Sequence, residues 1–277
     1  MTTRTVDRTQ ELATFLRTRR ERLDPRDFGL PRRRQSRRTP GLRREEVAEL
    51  AGVSTDYIVR LEQARGLRPS VTVLEALARA MRLAPDERDY LFDLAQQRPR
   101  TADRPATTAT ASLSGLVDDL SPLPVLLLNH RYDILSWNAE MVRLLVDFDT
   151  LPPSERNLVR LCLLHPQISR SYPDREKVLR DGIANLRTAW AAHPDDPELN
   201  HLIVEFIADV EDFARLWADP EVRHQGRGRK VMHHPEVGVI SLDFEMLVPM
   251  QNPDQRLLIF RAADDEGRAA LERLRSR

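Results

Sequence analysis

The sequence predicts a chain of two domains, an all-α domain first and an α+β domain with an antiparallel sheet second. Three observations carry this. Charge divides by region: residues 1–100 hold 22 Arg, no Lys and 15 acidic residues, a balance of +7, whereas residues 101–277 hold 21 basic and 28 acidic residues, a balance of −7. The stretch RPRTADRPATTATAS, poor in bulky residues and rich in Pro, Thr and Ala, reads as a linker over 99–112. Before it the apolar patterns have a helical period; after it runs of β character appear. The domains are therefore expected at 1–98 and 113–277.

In the first domain, Leu12, Phe15, Leu16 and Leu23 stand near helical spacing across residues 8–23. DPRDFGLPRRRQSRRTPG follows, too rich in Pro, Gly and Arg for a regular element, and reads as an exposed basic arm. Its Arg32, Arg33, Arg34, Arg37 and Arg38 suit contacts to a phosphate backbone. Val47, Leu50 and Ala51 mark a short helix that ends near Ala51, and Ile58 and Leu61 face inward from a second one over about 55–64. Ser70 caps a third helix with Leu74, Leu77 and Ala78 on one face, and Pro85 opens a fourth that ends near Gln97.

The helix pair around AGVSTDYIVRLEQAR has the parts of a helix-turn-helix. Gly52 supplies the left-handed turn, Val53 a wedge into the core, and Ser54 a cap for the second helix. In this motif the second helix enters the major groove N-terminus first, so its early residues must be short and polar. Thr55 and Asp56 fit that need. Arg60, one turn on, has the donor fork for guanine or phosphate. Glu62 is expected to hold Arg65 or backbone amides instead of touching DNA. The partner is then a double-stranded DNA operator, read by a homodimer because one short helix reads few base pairs.

The second domain opens with PVLLLNHRYDILSWN, a hairpin turning at Asn129–Arg131. Helical stretches follow in NAEMVRLLVDF, SERNLVRLCLL, PDREKVLRDGIANLRTAWAAH, DPELNHLIVEFIADV and EDFARLWAD. Strands in RKVMHHPEVG, VGVISLDFEMLVPM and QRLLIFRA form a meander with turns at Pro235–Gly238 and Asn252–Asp254, and DDEGRAALERLRS closes as a helix.

Several chemistries receive no support. The single cysteine, Cys162, sits among leucines and is expected as a buried thiol. No apolar run is long enough to span a membrane and the N-terminus lacks a signal-peptide core, so a cytoplasmic location is expected. His233 and His234 alternate across a strand and cannot readily share an ion, with or without His224, so no metal site is expected there. GRGRK lacks the strand and helix of a phosphate loop, and HPDDPE is a helix-entry turn. No nucleophile, base and orienting group assemble, so neither catalytic residues nor a cofactor are expected and the protein is expected not to be an enzyme.

LRREEVAELAGVSTDYIVRLEQARGLRPSVTVLEALARAM resembles the Xre (Cro-type) helix-turn-helix, with Arg44 where many members carry Gln. Together with LFDLA, LSWN, ERNLVRL, HPDDPEL, EDFARLW, HPEVGVISLDFEML and DQRLLIFRA, the chain is similar throughout to the MmyB-like regulators, common in actinobacteria; an Arg-rich chain, 41 of its 43 basic residues, agrees. The resemblance implies a transcriptional regulator with DNA contacts at Arg44, Ser54, Thr55, Asp56, Arg60 and Arg65. It also implies a PAS-like ligand-binding domain for a small apolar, fatty-acid-like effector. Pocket candidates are the aromatics Trp137, Trp190, Phe206, Phe213 and Trp217; Asn138, Arg156 and Asn157 either orient a ligand head group or cap helices. The alternatives are a second domain that binds a protein or has enzymatic activity.

Overall fold

The computed structural model describes residues 7–28, 41–65, 68–95, 106–219 and 226–276. In the first domain the helices are α1 (Arg8–Arg22), α2 (Arg44–Ala51), α3 (Thr55–Glu62), α4 (Val71–Ala80) and α5 (Pro85–Leu94). Their starts are written locally. Asp7, Ser54 and Ser70 accept from Thr9 N, Tyr57 N and Val73 N, satisfying amides that a helix start leaves free. Pro85 occupies the first turn of α5, and Glu87 accepts from Ala84 N at 2.9 Å. Phe15, Leu42, Leu74, Leu77, Tyr90 and Leu91 fill the core between them.

Gly41 and Gly52 both have positive φ, for different reasons. Gly52 (φ 65, ψ 34) terminates α2 in the left-handed conformation, with nothing near the place of a Cβ. At Gly41 (φ 77) a Cβ would lie 2.4 Å from the carbonyl oxygens of Arg20 and Glu21, so only glycine lets this chain approach the end of α1.

The second domain begins with α6 (Ala111–Asp119) and the hairpin β1 (Val125–Asn129) and β2 (Ile134–Trp137). Next come α7 (Ala139–Leu144), α8 (Leu158–Leu164), α9 (Pro166–Ser171), α10 (Arg175–Ala192), α11 (Pro197–Asp209) and α12 (Glu211–Ala218). The chain closes with β3 (Arg227–His234), β4 (Gly238–Leu247), β5 (Gln255–Ala262) and α13 (Asp265–Arg275). The strands form one sheet in the order β2-β1-β5-β4-β3, antiparallel throughout. At the first hairpin the Asn129 carboxamide accepts from Arg131 N and Asp133 N, and Tyr132 takes φ 70. The expected all-α head and α+β second domain with an antiparallel sheet are both present.

Three features depart from expectation. Residues 106–110 are held against the sheet instead of linking: Asn129 donates to Ala106 O at 3.3 Å and Gln255 to Thr108 O at 3.2 Å. Thr110 then caps α6, whose Leu113 and Val117 pack on Val125, Leu127 and Leu257. Small residues hid a cap and a short amphipathic turn. The helix expected through NAEMVRLLVDF stops at Leu144, and α9 together with 3-10 turns at Phe148–Thr150 and Pro153–Glu155 was not anticipated.

Candidate functional sites: a reading helix and a sheet-walled pocket

On α3, Ile58 and Leu61 are buried while Ser54, Thr55, Asp56, Arg60, Gln63 and Arg65 are exposed. The polar positions thus form one open face, with Ser54 also capping the helix. Glu62 departs from its expected role. It is buried and accepts two hydrogen bonds from Arg20 (2.6 and 3.0 Å) and one from Arg44 (2.7 Å), while its carbonyl accepts from Arg17 (2.7 Å). The last turn of α3 is therefore locked to α1 and α2, which fixes the angle at which the exposed face is presented. Arg44 spends its Nε on this lock and keeps a side chain 40% exposed. Arg32, Arg33, Arg34, Arg37 and Arg38 lie outside the described residues.

The second domain encloses a pocket between the inner face of the sheet and α8 and α10, with about 570 Å³ of empty space that is partly continuous with solvent. Its walls include Val159 and Cys162 of α8, Leu179 and Ile183 of α10, and Phe244 and Leu258 of the sheet. Gly182 of α10 lines it too, and a Cβ there would meet nothing within 4 Å. The polar lining consists of Lys230, Asp181, Asn185, Tyr132 and the Cys162 thiol. Lys230 lies on the inward phase of β3, in step with buried Met232 and His234. Its ammonium sits 5.2 Å from the Phe244 ring centroid and 5.9 Å from that of Tyr172. Burial pushes the Cys162 thiol pKa up, against the pull of Lys230 and Arg175.

The eight pocket candidates named from sequence lie elsewhere. Trp190, Phe206, Phe213 and Trp217 form one buried aromatic cluster among α10, α11 and α12, with Phe213 stacked on Trp217 at 5.5 Å and Trp190 donating to Asn200 at 2.7 Å. Trp137 packs on Phe148 under the Arg156 guanidinium, which donates to Leu151 O. Asn138 caps α7 and bonds Val125 N, Val117 O and Leu123 O. Asn157 caps α8 and donates to Arg131 O and Asp133. Both asparagines cap helices, Asn138 bonding backbone alone and Asn157 bonding backbone and the Asp133 carboxylate. Sequence reasoning gave weight to large aromatics, and those built the core. The signal for Lys230 was present, since it shares strand parity with Met232.

His233 is exposed and His234 buried, with Nε2 of His234 3.0 Å from Arg143 O, so adjacent histidines do point to opposite faces. His224 lies outside the described residues.

A helix-turn-helix head joined to a helix-wrapped sheet over an apolar pocket defines a transcription regulator with a ligand-sensing domain. Comparison with protein families agrees: a helix-turn-helix domain model matches residues 11–91, and the model of the MmyB-like transcription regulator ligand binding domain matches residues 109–274. The chain belongs to the MmyB-like transcription regulators. No match is found among curated proteins. Among the described residues no helix is long and apolar enough to cross a membrane.

Proposed function

We propose that this protein is a sequence-specific, cytoplasmic, non-enzymatic DNA-binding regulator acting as a homodimer, and that its pocket takes a small apolar molecule with an acidic, fatty-acid-like head. The reading head lies within residues 1–98, with Arg44, Ser54, Thr55, Asp56, Arg60 and Arg65 facing the operator and the arm arginines on phosphates. The sensing unit follows from residue 106.

The observation that carries the ligand reading is Lys230. An ammonium in an apolar wall is costly unless it meets an anion or an aromatic face. Phe244 and Tyr172 supply the faces, and among the described residues Lys230 forms no ion pair with a carboxylate. An acidic head placed there completes the pair, while each methylene buried along the pocket contributes about 0.8 kcal/mol. Asp181 would repel the same head, which orients it toward the β3 side.

Two substitutions test this. Lys230→Met keeps the length of the side chain and removes the charge. Gly182→Leu grows a side chain into the pocket from a helix that loses nothing by it. Native mass spectrometry of full-length protein is expected to show an acidic lipid-sized adduct that both variants lose. A variant pair that retains the same adduct at the same occupancy overturns the reading.

A further inference from the structure

A second cluster of ionisable groups lies where the first hairpin, the start of β5 and the α10–α11 turn meet. His130 is wholly buried, and its Nε2 lies 2.7 Å from the Asp196 carboxylate. Asp196 also accepts from Arg131 and from Glu198 N and Leu199 N. Both Asp196 oxygens are therefore met by donors, and the carboxylate holds His130 in place. His130 Nε2 thus faces Asp196, and Nδ1 is the ring nitrogen turned away from it. That Nδ1 is buried without a hydrogen-bond partner, as is Oδ1 of Asp254. His193 completes the group. Its Nε2 is 3.8 Å from Asp254 Oδ1, and its ring stacks on His130 at 3.8 Å.

We propose that His130, His193 and Asp254 form a binding site for a divalent first-row metal ion of the zinc type. The donor set fits: two imidazoles and a carboxylate, with a fourth position for water. Their donor atoms already lie within 4.8 Å of one another. The outer shell fits as well, because a ligating histidine characteristically gives its other N–H to a carboxylate, as His130 does to Asp196. An ion would satisfy the buried Asp254 oxygen and His130 nitrogen together, two groups that otherwise carry an uncompensated desolvation cost.

Two features oppose the ion and define what must move. Ligand bonds of about 2.0–2.2 Å require donor atoms closer than 4.8 Å, and parallel rings aim their lone pairs into separate planes. One imidazole must tilt. His193 is the one placed to do so, since it is only half-buried and ends α10 at a turn, whereas His130 is clamped. Arg256 adds positive charge nearby, which Asp254 partly offsets. Metal entry would thus unstack the histidines and draw the C-terminal end of α10 toward β5.

The full-length protein, stripped with a chelator, can be titrated at neutral pH with Zn²⁺ against a chromogenic chelator and with Co²⁺ followed by its visible bands. One ion per chain is expected, with low-micromolar or tighter affinity and a melting temperature raised by metal and restored by chelator. Asp254→Asn, close in shape, and His193→Ala should each weaken binding about tenfold or more. His233→Ala, on the exposed phase of β3, should leave it unchanged. Absence of stoichiometric binding overturns the proposal, as does wild-type affinity in both ligand variants or loss of binding through His233→Ala alone. Thermal melts of the metal-free variants separate loss of a ligand from loss of fold.

Discussion

Arg187 of α10 and Glu11 of α1 form a buried ion pair across the boundary between the two domains. Tyr90 of α5 donates to the same Glu11 carboxylate at 2.9 Å, and Arg187 also donates to Trp217 O and lies 4.2 Å over the Trp217 ring. Arg8 bridges Asp93 O and Ala191 O, and Arg22 meets Asp219 at 2.9 Å nearer the surface. The helix that presents Arg187 is also the pocket wall that carries Leu179, Gly182 and Ile183. Pocket and first domain thus both contact α10, so an occupant that shifts α10 is expected to change operator affinity.

Removing one partner of this pair should be costly. Glu11→Ala leaves Arg187 buried without its carboxylate, an expected loss of about 3–5 kcal/mol in chemical denaturation. Arg187→Met, which fills a similar space but leaves the buried Glu11 carboxylate without its cation, should also be costly and should uncouple the domains. Operator affinity measured with and without extracted ligand should then differ by less than in wild type. An undiminished difference would move the coupling elsewhere.

The two turn glycines should separate strain from collision. Gly52→Ala adds only the left-handed backbone cost, about 1–2 kcal/mol. Gly41→Ala drives a methyl into two backbone carbonyls and should destabilise the head far more, since neither oxygen can leave without disturbing the end of α1. Urea unfolding of both variants measures the contrast.

On DNA, Arg60→Ala should lose about 1–3 kcal/mol of discrimination at the base it reads. Glu62→Gln should weaken specific binding without touching DNA, because it loosens the lock between α3, Arg20 and Arg44. Replacing Arg32, Arg33 and Arg34 together should weaken binding to all sequences and flatten its salt dependence. Operator and scrambled duplexes compared across salt concentrations distinguish the three outcomes.

The chain has four tyrosines, and burial raises the pKa of Tyr90, Tyr132 and Tyr172, with Glu11 adding to the effect at Tyr90 and Cys162 at Tyr172. An unfolded tyrosine ionises near pH 10. A raised folded value means that the unfolded state releases protons first. The stability linked to these groups is therefore complete below about pH 10 and falls as pH rises above it. Alkaline titration followed by phenolate absorbance should show these tyrosines ionising together with loss of helicity. Gradual ionisation of all four without unfolding would contradict their burial.

Much of this architecture could be read from local chemistry. Ser54, Ser70 and Pro85 declare helix starts, Gly52 a turn, and the parity of Met232 and His234 an inward strand face, because each acts on neighbours within a few residues. The Glu62 lock, the Arg187–Glu11 pair and the group of His130, His193 and Asp254 were not legible. Their members lie far apart in sequence, and no spacing rule links them until the helices pack. The aromatic residues Trp190, Phe213 and Trp217 pack together away from the pocket between α8 and α10, since such side chains are as useful in a core as in a pocket and only tertiary packing decides.

The hydrogen bonds that fasten Ala106 and Thr108 to the sheet set a tether length. Only residues 96–105 remain between α5's end and the anchored strand edge, a span that reaches no more than about 40 Å when fully extended. The buried Arg187–Glu11 pair and the Arg8 bonds to Asp93 O and Ala191 O already hold the head against the second domain, so the connection joins two ends that packing keeps in place. The anchoring of two backbone carbonyls thus leaves the placement of the head to the side chains that α1 and α5 share with α10.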